Sequence, residues 1–583
     1  MKNKTLAALG EELYSGKPVS PTCLGKLSVP SASLLMSETK MGKQKYQLIS
    51  AIFKREGFDI LPSYLDVSSF RKAITPSTMA LPEPFLGIKF PLVEAVKTAL
   101  LRTIMYNVAP KDKNLLLFDK LKFIIKVGFD GSGQHNMFHQ QGTAETTNII
   151  MTMMVPLTLR GQLKPSSPEE IIWSEQNPSS ANTQRPLALQ LGKENIENLM
   201  MFGIQSQEMN DLEARGVEVD VGGHEINVGV LFRLTAIDRK ATDAVLSVGG
   251  SYCDLCLLSK EEAHETGCIP DLAVVRTLES IKQIAENLPK DSDGNLKTRK
   301  GDYGTRQGVM RAPITQHEIE SVQALHMVLR TADWCLKLVY HERAGLLLWS
   351  EAVDVRGTEF SKQAKFEIQN YMRKHTGLRV DYPNPSGGTT TTGNVARRLL
   401  HDPATRKELL SQIPDHLRGN LGELLKRISI VLRVISTKAK VEKLEEFRSY
   451  SLKTYQFVLE TYAPPRCFIS PTVHKALGHG WELIRKNEGN GLGILSEGGL
   501  EASNKLLRNI RIDQARKVSQ ETNLQDCISK LWVRSDPEVE KIRCRVLPRC
   551  QACSTRGHSK AECPNIVRVL KCEDEMVQYF LMK

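Results

Sequence analysis

The two halves of one candidate metal site stand more than two hundred residues apart, and that separation constrains the fold more than any other feature. Cys253 and Cys256 form a C-D-L-C pair with nothing beside them at ligand spacing to complete a site. His474 and His479 (H-K-A-L-G-H) follow 474 − 256 = 218 residues later. A C-x2-C pair with an H-x4-H pair suits tetrahedral S2N2 coordination, the arrangement of structural zinc. A site split this widely acts as a clasp, pinning the ends of a long segment together. Asp238 closes an apolar run 253 − 238 = 15 residues before Cys253, and Glu501 opens a basic helix 501 − 479 = 22 residues after His479. A closed clasp brings these two carboxylates to one place, as in an active site interrupted by an insertion. On spacing alone the alternative stands: C-x2-C pairs are common, and both histidines suit core positions.

A chain of 583 residues exceeds a single core, so three or four domains are expected. No apolar run approaches the ~18 residues of a membrane span. The N-terminus MKNKTLAALG lacks the apolar centre of a signal peptide. An intracellular protein with no membrane partner is expected. Twelve cysteines then point to metal rather than disulfides. The net charge of +12 leans toward a polyanion, although many intracellular proteins without one are equally basic.

Residues 1–100 are basic, broken by prolines, and helical in pattern at 44–55 and 68–74. Strands are expected at 121–130 (LKFIIKVGFD), 147–159, 185–191 and 225–238, from their β-branched and aromatic runs, and a short helix at 239–246. Apolar residues then recur at helical intervals over 322–349, 360–373, 396–413 and 421–457, an all-helical insertion. A further amphipathic helix is expected at 496–518. Strands, a helical insertion and a returning helix suit a mixed sheet covered by its last helix.

Asp130 and Asp238 end strands, where ligands and catalytic groups gather in α/β sheets. With Glu501 they could hold two Mg²⁺ ions ~4 Å apart for phosphodiester chemistry. Taken singly, Asp130 equally suits the start of the D-G-S-G turn, and Asp238 a helix cap. Lys505 and Arg508 share the face of Glu501, and Arg511, Arg516 and Lys517 add charge around the helix, a candidate grip on a phosphate backbone. An ordinary surface helix also pairs Glu with Lys at this spacing. Near the C-terminus, Cys550, Cys553, His558 and Cys563 read C-x2-C-x4-H-x4-C, the zinc-knuckle pattern. Gln551 stands where such knuckles usually carry a stacking aromatic, which leaves a structural or protein-binding role open.

Together these segments resemble the catalytic subunit of the V(D)J recombination-activating (RAG) recombinase and its relatives, the RAG-like and Transib transposases. The likeness lies in FDGSGQH at Asp130, the R-P-L of TQRPLALQL, FRLTAID ending at Asp238 and Y-C-D-L-C around Cys253. It continues in HKALGH and in GILSEGGLEASNKLLRNIRIDQARK, which carries Glu501. The resemblance implies an RNase H-like (DDE recombinase) α/β core with Asp130, Asp238 and Glu501 at its acidic positions and Mg²⁺ or Mn²⁺ as cofactor. It also implies zinc at Cys253, Cys256, His474 and His479, and a supporting histidine at His326. The glutamate block has one residue more than the family pattern, so Glu497 competes with Glu501; counting back from Asn504-Lys505 favours Glu501. No G-G-R-P-R-like arm of the kind the family uses on its DNA signal is found. The knuckle points to the transposon-like branch.

The expected organisation is a helical dimerisation and DNA-binding region (1–105), the first part of the core (106–250), a helical zinc-binding insertion (251–480), a catalytic helix region (481–545) and a knuckle tail (546–583). The expected activity is nicking at terminal inverted repeats, hairpin formation on flanking DNA and joining of ends to a target. A C2 homodimer is expected because two ends must be cut in concert; a β-propeller accessory subunit follows from the resemblance, and a nuclear location is expected. The alternative is a domesticated DNA-binding protein that keeps the fold without cutting.

Overall fold

The computed structural model describes residues 25–108, 115–133, 148–249, 252–256, 258, 262–264, 276–289, 308–345, 359–383, 391–462, 467–546 and 571–582. Its sheet contains β1 (Met79–Ala80), β2 (Gly87–Lys89), β3 (Lys120–Ser132), β4 (Ile149–Gln162), β5 (Glu170–Ser174), β6 (Arg185–Leu191), β7 (Val217–Val221) and β8 (His224–Ile237). The order is β1-β2-β6-β4-β3-β8-β7, with β5 paired on β4. β4 runs antiparallel to both β3 and β6, and β3 pairs with β8 in parallel. Strands β3, β6 and β8 therefore point the same way and end at one edge of the sheet.

The four long strands stand where the sequence places them. β1, β2, β5 and β7 were not expected, because two to five residues are too few to display alternation. β3 is buried along nearly its whole length, which explains its almost continuous apolar run. Its two faces meet different cores. Phe123, Ile125, Val127 and Phe129 join the core built with the helices Leu92–Thr103 and Ile196–Arg215, and the Phe129 ring lies 4.4 Å from that of Phe202. Ile124, with Val155 and Leu157 of β4, joins the core of the helical insertion.

β8 carries an extra residue, Thr235, opposite the step from Val127 to Gly128. There the strands approach so closely that a Cβ on Gly128 would stand 2.0 Å from the Ala236 carbonyl oxygen. Gly128→Ala must push β8 away and is expected to cost about 1–3 kcal/mol, as overpacking does. A thermal melt identical to that of the wild type would refute the close approach.

The helical insertion is present, with two corrections. The pattern at 396–413 is two helices, Gly393–His401 and Pro403–Leu410, since Pro403 cannot continue the first and Asp402 caps the second. The pattern at 421–457 is also two, Asp415–Ile435 and Leu444–Thr461. Between them Ala439 and Val441 exchange backbone hydrogen bonds with Gly491 and Gly489. No glycine or proline marks that break in the sequence.

The first expected boundary also shifts. β1, β2 and the Leu92–Thr103 helix belong to the sheet and its core, leaving Val29–Glu38, Lys43–Arg55 and Tyr64–Ala73 as the small N-terminal helical unit. Asp536, near the end of the 481–545 region, takes both prongs of the Arg102 guanidinium at 2.7 and 2.8 Å. The last helix, Lys571–Leu581, buries Val577 and Phe580 in the insertion core. The knuckle residues Cys550, Cys553, His558 and Cys563 lie outside the described residues.

Candidate active site and metal-ligand cluster

The strand directions assemble the acids. Phe129 and Ile237 are the last partners of the parallel pair, so Asp130 and Asp238 follow side by side. Asp238 leaves its strand and caps the helix Arg239–Leu246, its carboxylate accepting the Ala241 N–H at 2.6 Å. β6 ends at the same edge, and three residues beyond it Glu194 accepts the Gly131 N–H at 2.9 Å. Glu501 comes from the first turn of the helix Gly498–Asp513. One turn further on, Asn504 Nδ2 donates to Asp130 Oδ2 at 2.6 Å and ties that helix to β3.

These carboxyls crowd one another. Burial holds the Asp130 carboxyl well above the usual range, and Glu194, Asp238 and Glu501 push it further. Burial raises Glu194, with Asp238 adding to it. Glu501 is raised by burial first, then by Glu497 and Asp238, against His326 and Arg397. Acids that raise one another in this way are an oxygen donor set that a divalent ion would relieve, and Mg²⁺ is commonly held by a few carboxylates completed by substrate phosphates. Among the described residues only the Cys253, Cys256, His474 and His479 group is gathered to ligand distance, so the acids form an open cluster rather than a closed cage.

Glu497 and Glu501 have different surroundings. The Glu497 carboxylate is buried, accepting the His326 backbone N–H at 2.8 Å and standing 2.9 Å from its Nδ1. Glu501 is 41% exposed, with His326 Nε2 3.7 Å away. Burial alone would lower the His326 pKa, but the bond to Glu497 and the charges of Glu497, Glu501 and Asp238 raise it. Glu497 therefore holds the histidine, and Glu501 is the acid left facing Asp130 and Asp238.

The basic residues of this helix divide. Lys505 is exposed, and Arg508, half-buried, donates to the Gly133 carbonyl at 2.8 Å. Arg511 is a correction: it is 2% exposed, with Nε on Asn523 Oδ1 at 3.2 Å, so it is a packing residue. The helix ends at Asp513 rather than 518, leaving Arg516 and Lys517 beyond it. Both are exposed, Arg516 paired to Asp526 at 2.9 Å.

The clasp is closed. Cys253, Cys256, His474 and His479 are all buried, their ligand atoms within 4.8 Å of one another, a group that can hold a metal ion. Cys256 Sγ lies 3.4 Å from His474 Nε2. A π-helical turn, Lys475–His479, stacks residues five apart and so places both rings on one side. Tyr455 Oη stands 3.0 Å from His474 Nδ1, and Glu482 Oε2 3.3 Å from His479 Nδ1. Such outer partners fix the tautomers and turn both Nε2 atoms inward. Burial opposes ionisation of Cys253, but its contacts with Cys256, His474 and His479 outweigh burial and bring its pKa well down.

Sequence reasoning missed Glu194. G-K-E-N reads as a helix start, which Asn195 indeed caps. The place of Glu194, three residues past β6, gains meaning only because β6 runs with β3, a relation that the local sequence does not display.

Residues 123–251 match the family model of the Recombination-activation protein 1 (RAG1) RNase H domain. The matched stretch contains Asp130, Glu194 and Asp238 and stops just short of Cys253. Comparison with curated proteins finds no match. The chain thus carries an RNase H-like domain of the recombination-activating type, the kind found in recombinase- and transposase-related nucleases.

Proposed function

We propose that the chain is a DDE-type DNA nuclease of the recombinase and transposase class, acting as a C2 homodimer on duplex DNA with terminal inverted repeats. One observation carries the reading: three parallel-running strands and one helix bring Asp130, Glu194, Asp238 and Glu501 to a single sheet edge. Mg²⁺ or Mn²⁺ held there would supply Lewis acidity for in-line displacement at phosphorus. Asn504 fixes the Asp130 carboxylate, the Arg239–Leu246 helix orients Asp238, and Glu497 sets the His326 ring beside Glu501. Lys505, Arg508, Arg516 and Lys517 would supply cations for the phosphate backbone. Hydrolysis of one phosphodiester frees a 3′-OH and leaves a 5′-phosphate. That hydroxyl then displaces at the opposite strand, closing a hairpin on the flank and releasing the element end for joining.

Zinc is the metal proposed for the Cys253, Cys256, His474 and His479 group, and for the knuckle at Cys550, Cys553, His558 and Cys563. A β-propeller accessory subunit and a nuclear location are part of the same proposal. The test is incubation of the purified chain with Mn²⁺ or Mg²⁺ and a labelled duplex bearing an inverted repeat, with and without the accessory subunit. Nicks followed by hairpins are expected. Tight binding without strand cleavage in any combination would favour the domesticated, non-cutting alternative.

A further inference from the structure

Lys126 lies in the middle of β3 and is 1% exposed. A strand alternates its faces, so Lys126 shares a face with Gly128 and Asp130. Among the described residues no carboxylate bonds its ammonium. Instead its Nζ donates to three backbone carbonyls: Pro178 at 2.7 Å, Ile494 at 3.3 Å and Ser496 at 3.1 Å. Three N–H donors meet three acceptors, the full capacity of the group.

The same short segment is held at the residues between. Ser179 Oγ donates to the Gly493 carbonyl at 2.8 Å, and Thr235 Oγ1 to that of Leu495 at 3.2 Å. Four consecutive carbonyls, Gly493 to Ser496, thus each find a side-chain donor. Thr235 is the extra residue of the β8 bulge, and bulges re-aim side chains in this way. Immediately after this segment the Gly498–Asp513 helix begins, with the Glu501 N–H donating to the Glu497 carbonyl. There is little slack beneath its first turn: a Cβ on Gly499 would stand 2.9 Å from the Ser179 carbonyl carbon.

We propose that Lys126 is a positioning residue: with Ser179 and Thr235 it fixes the 493–496 segment and so sets where Glu501 stands relative to Asp130 and Asp238. The inference rests on the function proposed above. A buried ammonium is a costly way to hold a loop, and an apolar side chain would pack there more cheaply. What the ammonium adds is direction, since it gathers carbonyls from two separate segments at one point on the strand that carries Asp130.

Wild type, Lys126→Met and the double variant Ser179→Ala/Thr235→Val are compared in three measurements: single-turnover nicking with Mn²⁺, duplex affinity, and amide hydrogen exchange across 497–508. Lys126→Met is expected to nick about 100-fold more slowly, the size of effect that misplacement by an ångström has, with Kd changed by less than about two-fold. Exchange across 497–508 is expected to rise while β3 and β8 keep their protection. If Lys126→Met does not fold, the double variant carries the test, with the same split at about ten-fold. Unchanged rate and exchange in the variant that folds would overturn the proposal, as would affinity falling in step with rate. If wild type itself does not nick, the proposed function fails, and the exchange measurement alone decides whether Lys126 positions the helix.

Discussion

Asp238→Asn and Glu501→Gln are each expected to slow single-turnover nicking by at least about a thousand-fold, ~4 kcal/mol of transition-state stabilisation, with duplex affinity nearly unchanged. Both substitutions keep shape and remove charge, and the structure says why neither should unfold the protein. Asn is as good a helix cap as Asp, so the bond from the Ala241 N–H can persist in Asp238→Asn. Glu501 is 41% exposed, and an amide is well tolerated at that depth. The loss is therefore one of chemistry. Strand cleavage at the wild-type rate in either variant rejects the acidic cluster as the active site. A parallel loss of binding would instead make these residues part of the DNA surface.

Cys253→Ser is expected to behave in the opposite way, lowering stability and activity together. All four residues of that group are at most 4% exposed. Without a metal the substitution leaves two buried histidines and a lone thiol facing one another. Structural zinc sites contribute folding free energy directly, so the loss should be on the order of several kcal/mol. Circular dichroism melts of the variant, and of wild type treated with a zinc-selective chelator in excess Mg²⁺, measure it. A full-height melt at the wild-type temperature with activity abolished would show that the group is catalytic rather than structural.

Long strands and their terminal acids were legible because β-branched runs of thirteen or fourteen residues leave a strong pattern. Ligand spacing suggested the clasp but left core histidines as an equal alternative, and only the folded chain brings the four ligand atoms together. Glu194 was not, since its role depends on β6 running with β3, which no local signal reveals. Arg511 was misread for a related reason. It lies four residues from Leu507 and eleven from Leu500, on the apolar stripe of its helix, where its charge drew attention away from its position. The split at Pro403 could have been anticipated from proline chemistry. The break between Ile435 and Leu444 is made by backbone bonds to residues some fifty positions on, and no reading of the neighbouring residues would find it.

β3 contributes one face to the sheet core and the other to the insertion core. Neither body can therefore melt and leave its neighbour intact, because a strand stripped on one side loses the support that orders it on the other. The two should unfold as one cooperative unit, in contrast to the small N-terminal helical unit, whose core contains no sheet residue. Partial opening, where it occurs, belongs at that end of the molecule and not at the acids.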